Sequence, residues 1–316
     1  MKIGFLFFCF AVSLPVLTHL ARGEESGGAK LVVHEVLPSA TDKNIDKFSG
    51  DGWMHWTYFN PAAPARHQVI VFLAGTGGTG KGHRALNQLA ANEGYHLVSL
   101  AYPSEISISH FHKSVDPDAF LKARENIIYG KTPFAGLDIT PANSIQNRLL
   151  KLLQYLAETY PQENWSQYFA APGRLEWGKL VLAGQSQGGG HACLIALQHP
   201  VARVLMFGSP KDFNINFNKP ATWFAGPNAT PLNRYFSFVH SADSKHGCTY
   251  PQQLENYRAL KLIPKYPVIN VDETPPPFAH SRLLTSQRPQ ENPHGSVILD
   301  AAYQEVWKYL LEEAVQ

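Results

Sequence analysis

The sequence predicts an α/β domain built on a largely parallel sheet, and three observations carry that expectation. Short β-branched or aromatic runs alternate with longer stretches of helical periodicity, the pattern of parallel strands joined by helical crossovers. Two of these strands, ending at Leu73 and Ala183, run directly into glycine-rich turns. The chain has 316 residues, 44% hydrophobic and 16% charged, which suits one α/β domain with a sizeable core.

The elements follow in order. Residues 31–37 and 53–59 read as two early strands. Residues 67–73 form a stronger, β-branched strand, residues 83–93 a helix, and residues 95–101 the next strand. From 103 to 141 the pattern weakens, with aromatics, histidines and prolines scattered through it. A stretch that long without regular structure is usually functional, so 103–141 is expected to form a rim or lid. Residues 143–160 form an amphipathic helix, with Leu149, Leu152, Leu153 and Leu156 at helical spacing and Pro161 as its stop. A buried strand at 179–183, a helix at 189–199 and a strand at 201–207 come next. Residues 210–233 are an Asn/Pro-rich excursion. A strand at 235–240, a helix at 252–260 and a last strand at 281–285 complete about eight strands. Residues 297–315 are expected to close the chain as a single helix, with Val297, Ala301, Val306, Leu310 and Leu311 on its apolar side.

The N-terminus carries its own signal. Lys2 precedes an apolar run from Ile3 to Leu14, and Ala21-Arg22-Gly23 offers small residues where a signal peptidase reads. A signal peptide over 1–23 is expected, with 24–316 as the mature domain and a secreted or periplasmic location. The run is short and Pro15 interrupts it, whereas a spanning helix needs about 20 apolar residues, so no stable membrane anchor is expected. Cleavage removes Cys9 and leaves Cys193 and Cys248, as one disulfide or as two separate thiols. Asn164-Trp165-Ser166 and Asn228-Ala229-Thr230 are formal glycosylation sequons, the second weakened by Pro231. A net charge of +2 with no basic stripe argues against a nucleic-acid partner.

Chemistry concentrates at Gly184-Gln185-Ser186-Gln187-Gly188, set between the buried strand and a helix. A serine on so sharp a turn needs small neighbours two positions away, which Gly184 and Gly188 supply. Gly189 and Gly190 are expected to let the helix pack close to the strand. At the helix N-terminus, free N–H groups and the dipole favour negative charge on a reacting oxygen. The bland alternative is a glycine-rich turn with an incidental serine.

This segment resembles the nucleophile elbow of the α/β-hydrolase superfamily, and Ser186-Gln187-Gly188-Gly189 is similar to the elbow of cutinases and related secreted esterases. The element order from about residue 31 onward also looks like the α/β-hydrolase fold, a mostly parallel sheet with helices on both faces. The resemblance implies a nucleophile, acid and histidine in that chain order. The implied histidine follows the last strand and precedes the C-terminal helix, where His294 stands, with His280 as rival. His191, His240 and His246 fit the position less well. The implied acid lies after the strand at 235–240, which selects Asp243. Asp212, after the preceding strand, and Asp272 are the alternatives, and any loop Asp also serves as a turn cap.

Ala74 to Gly82 invites three readings. Gly75-x-Gly77-x-x-Gly80 mimics a dinucleotide fingerprint and Gly75-x4-Gly80-Lys81 a P-loop. Gly82 occupies the place of the P-loop Ser/Thr, and the strand at 95–101 lacks the ribose-binding acid of a dinucleotide site. The third reading follows from the resemblance: this loop supplies one oxyanion donor, Gly75 or Thr76, and the Gln187 N–H the other. The Thr76 hydroxyl is a further candidate donor.

The expected function is therefore a secreted serine hydrolase acting on small or polymeric esters through Ser186, His294 and Asp243, with no cofactor and no metal. An acyltransferase would share the same residues, and a non-catalytic binding protein the same fold. His110-Phe111-His112 lacks a third ligand and reads as a loop feature. Phe111, Phe134, Trp223 and Phe224 are candidates for an acyl pocket or for the core.

Overall fold

In the computed structural model, residues 31–46, 53–170 and 173–315 are described. The expected signal peptide and Cys9 lie outside them. Nine strands form the central sheet: β1 Val32–Val36, β2 His55–Phe59, β3 Val69–Leu73, β4 His96–Leu100, β5 Leu180–Gln185, β6 Arg203–Phe207, β7 Tyr235–His240, β8 Val268–Asn270 and β9 Leu283–Ser286. Their order is β1-β2-β4-β3-β5-β6-β7-β9-β8. Only β1–β2 and β2–β4 pair antiparallel; every other pair is parallel. This is the mostly parallel sheet covered by helices that the sequence predicts, one strand larger than expected.

Central strands of such a sheet are covered on both faces, so they read as continuous apolar runs. Strand β3 shows this: Val69, Val71 and Leu73 enter one core layer, while Ile70 and Phe72 enter the other. Helices α2 Ala119–Tyr129, α3 Ile145–Thr159, α4 Gln187–Gln198 and α5 Tyr250–Ala259 contribute to the first layer. Helices α1 Arg84–Asn92, α6 Pro293–Leu299 and α7 Gln304–Glu312 close the second.

Three elements differ from expectation. The segment 103–141 contains regular structure, since α2 lies within it. Phe120, Ala123, Arg124, Asn126 and Ile127 of that helix are all buried, so burial runs nearly all round and no amphipathic stripe is legible. The single C-terminal helix is two. Asp300 ends α6, and its carboxylate accepts the Ala302 N–H at 2.9 Å, capping a new turn instead of continuing the old one. The ninth strand, β8, is a half-buried three-residue edge, too short to show a period.

Cys193 and Cys248 are separate buried thiols. Asn164 is exposed with φ 58°, whereas the Asn228 side chain accepts from the Thr230 N–H and the Tyr235 hydroxyl, and the Thr230 hydroxyl is itself buried.

Several histidines are packed into the fold as neutral rings. Burial pushes the His55 imidazole down to about 3 and those of His83 and His96 to about 4. The unfolded chain takes up protons on these rings below about pH 6.5, while the folded protein does not. Unfolding free energy should therefore fall by several kcal/mol between pH 6.5 and pH 4. Urea titrations across that range check this, and a flat profile would contradict it.

Candidate active site

Strand β5 delivers Ser186 to the C-terminal edge of the sheet with φ 54° and ψ −117°, a region that L-residues rarely occupy. The turn is held by the Ser186 N–H donating to the Phe207 carbonyl at 2.8 Å. Tight contacts explain the flanking glycines. A Cβ on Gly184 would overlap the backbone at Gly188, and one on Gly188 would overlap the Leu73 carbonyl of β3. Gly190 has a different reason from the one expected: the space its side chain would fill holds the Arg124 guanidinium, not the strand.

The loop after β3 comes against the elbow as the resemblance implies. An ideal Cβ on Gly75 would lie 3.3 Å from Ser186 Cβ and 2.6 Å from Gln185 Oε1, so a side chain there would crowd Ser186 and push the Gln185 head group aside. In that loop the Gly77 and Gly78 N–H groups are taken by the Ser104 and Gly75 carbonyls. The N–H groups of Thr76 and of Gln187, the first residue of α4, have no hydrogen-bond partner among the described residues. The Thr76 hydroxyl, in contrast, donates to Gln187 Oε1 at 2.9 Å and is thereby occupied. The Ile108 N–H donates to the same oxygen at 2.9 Å, so the Gln187 side chain ties this loop and the 107–112 segment to the elbow.

Asp243 and His294 are brought together. Asp243 Oδ2 lies 2.8 Å from His294 Nδ1, and both side chains are buried. Asp243 follows β7 and uses its other oxygen to accept the Lys245 N–H at 3.2 Å. His294 sits in the first turn of α6, where Asn292 caps the Gly295 N–H and in turn accepts from Lys245 Nζ at 3.2 Å. The imidazole faces Gly208, the residue after the carbonyl that holds Ser186. A Cβ there would lie 3.2 Å from His294 Cε1 and Nδ1. His294 Nε2 has no hydrogen-bond partner, and no hydrogen bond joins it to Ser186 Oγ. Such contacts are often long without substrate and tighten on binding.

Most of the alternatives are held by other partners. His280 is 69% exposed and bonds Glu313 at 3.0 Å. His240 bonds the Arg288 carbonyl, and His191 lies buried beside Arg124 at 3.2 Å. His246 stays close, its ring centroid 4.9 Å from that of His294. Asp272 accepts from the Ser286 hydroxyl and the Gln287 and Arg288 N–H groups, a cap for the loop after β9. Asp212 is held by Arg124 at 2.5 and 2.6 Å and by Trp223 Nε1 at 2.9 Å.

Two neighbours of the candidate site escape sequence reasoning. Arg124 is fully buried and also donates to the Gln187 carbonyl at 3.0 Å, bracing the start of α4. Lys211 is 7% exposed, with its Nζ 2.9 Å from Asp243 Oδ2. Helix α5 supports this region from below: Gln253 donates to Asp243 Oδ2 at 3.2 Å and Tyr257 to the Ser209 carbonyl at 2.8 Å. No motif marks these residues, since single polar side chains inside loops or buried helices carry no periodic signal.

Beside Ser186 lies a narrow cleft of about 20 Å³, the space of a single water. Thr76, Ser107, Ile108, His112, Lys211 and His246 contribute to its walls. None of the four aromatics proposed for an acyl pocket does. Phe111 packs on Phe134 at 5.5 Å, and Trp223 and Phe224 are buried against each other at 3.9 Å. The His110–His112 pair also resolves as structure, His112 Nδ1 lying 2.6 Å from the Phe213 carbonyl. Among the described residues, no group of three or more His, Cys, Asp or Glu could hold a metal ion.

No protein-family model matches the chain, and no curated protein matches it. Among solved structures, one from Klebsiella pneumoniae subsp. pneumoniae MGH 78578, described as a putative dienelactone hydrolase, is similar over 89% of this chain and 99% of that one, at 12% identity and a TM-score of 0.43.

Proposed function

We propose that this chain is a serine hydrolase that cleaves carboxylic esters through an acyl-enzyme. Two observations support this reading: the strained elbow at Ser186, and the buried Asp243–His294 pair, whose imidazole faces Gly208, next to the Phe207 carbonyl that holds the Ser186 N–H. A serine hydroxyl needs a base to become nucleophilic, and an imidazole oriented by a carboxylate is that base. His294 Nε2 takes the Ser186 proton as Oγ attacks the ester carbonyl, then returns it to the leaving alcohol. A water activated by the same nitrogen releases the acid. The oxyanion is received by the free N–H groups of Gln187 and Thr76, with Gly75 giving the backbone its close approach. One such donor contributes about 3–4 kcal/mol of transition-state stabilisation. The apolar N-terminal run and its small-residue cleavage site support export, and the 107–112 segment supports a rim over the cleft.

Hydrolysis of 4-nitrophenyl esters from acetate to palmitate tests the reading. His294→Ala should lower turnover by at least about 10³-fold. His280→Ala should leave it near wild type, because that ring is out in solvent. The reverse pattern would transfer the base to His280. Transfer of the acyl group to an added alcohol in preference to water would make the protein an acyltransferase.

A further inference from the structure

Lys211 is buried against Asp243, the acid of the proposed triad. Taking an ammonium out of water is costly unless it is paired, and Lys211 meets that need on Asp243 Oδ2. That same oxygen accepts from His294 Nδ1 at 2.8 Å and from Gln253 at 3.2 Å. One carboxylate oxygen therefore answers to two groups of opposite catalytic consequence. The carboxylate favours the imidazolium; the ammonium beside it opposes that charge.

We propose that Lys211 is a positioning residue for the candidate triad: its ammonium fixes the Asp243 carboxylate on His294, offsets part of its charge, and so sets the lower edge of the pH range in which His294 acts as a base. The inference rests on the triad reading above.

The surroundings leave Lys211 as the charge best placed for this role. Asp243 faces His294 directly, and Lys211 acts through it. His246 stands 4.9 Å from His294, and burial, then the nearness of His294 and Lys211, lowers its imidazole from the ordinary range. Lys245 points its ammonium at Asn292. Asp212 shares the cleft but is neutralised by Arg124. Burial alone would push the Asp243 carboxyl up. The His294 hydrogen bond and the Lys211 charge reverse this and bring it down to about 2, so the carboxylate is ionised throughout the working range.

The test is kcat/KM against pH for 4-nitrophenyl acetate, with the full chain as wild type, Lys211→Met, Lys211→Gln and Lys211→Arg, and circular dichroism recorded at each pH. Without the ammonium the imidazolium is favoured and the base is lost at higher pH. The acid limb should therefore move up by about one pH unit in the Met and Gln variants. Arg keeps the charge and should return the limb to its wild-type position. Lys211→Gln retains a polar head should Lys211→Met fail to fold. A limb that stays in place in either folded neutral variant overturns the proposal. So does one that moves equally in Arg, which would mark a packing effect. Fluorophosphonate labelling separates the two levels. Labelling that survives Ser186→Ala removes the triad reading itself, whereas an unmoved limb with Ser186-dependent labelling removes only the role of Lys211.

Discussion

Ser186→Ala should abolish fluorophosphonate labelling and lower ester turnover by about 10⁴- to 10⁶-fold, the largest effect expected of any single change in this protein. The size follows from what the residue does alone. With Oγ removed there is no covalent intermediate, and only binding and the oxyanion donors remain to assist direct attack by water. The fold should not suffer. Ser186 makes its structural hydrogen bond through the backbone N–H to Phe207, and alanine adds no volume at a position where β5 and α4 already meet. Alanine at φ 54° carries the same strain as serine. An unchanged melting temperature beside lost labelling is the expected pair of results. Persistent labelling of the variant would move the nucleophile elsewhere.

The second large effect separates Asp243 from Asp212, one of the alternatives that the chain order alone leaves open. Asp243→Asn should cost about 10⁴-fold in kcat, because an amide at that position can donate to His294 Nδ1 and hold the wrong tautomer. Asp212→Asn should instead cost stability. It leaves the Arg124 guanidinium, 1% exposed, without its countercharge in the core between α2 and α4. Breaking a buried pair from one side costs about 3–5 kcal/mol. At about 2–4 °C per kcal/mol for a domain near this size, the melting temperature should drop by roughly 6–20 °C. Below the transition, Asp212→Asn should keep activity within about tenfold of wild type. A 10⁴-fold loss in Asp212→Asn with a normal melting temperature would make Asp212 the triad acid.

Features written in local pattern are legible before any tertiary contact is known. The buried runs of β3 and β5 are legible because a central parallel strand is covered on both faces and so is apolar throughout. The elbow is legible because a serine at positive φ requires glycine two residues away on either side, a rule that lies within five consecutive positions. Helix α3 is legible because one face meets the sheet and the other meets water.

Tertiary structure alone decided everything that depends on distant residues meeting. Asp243 and His294 are 51 positions apart and Arg124 and Asp212 are 88 apart, so no spacing rule distinguishes the proposed catalytic pair from the buried ion pair. Helix α2 stayed hidden because burial nearly all round erases its stripe, and the break at Asp300 because one side-chain cap outweighs an apolar pattern that continues past it. Lys211 was invisible for the same reason as Arg124. A buried charge has no local signature, because its meaning lies in the partner it meets across the fold, here the oxygen that also holds His294.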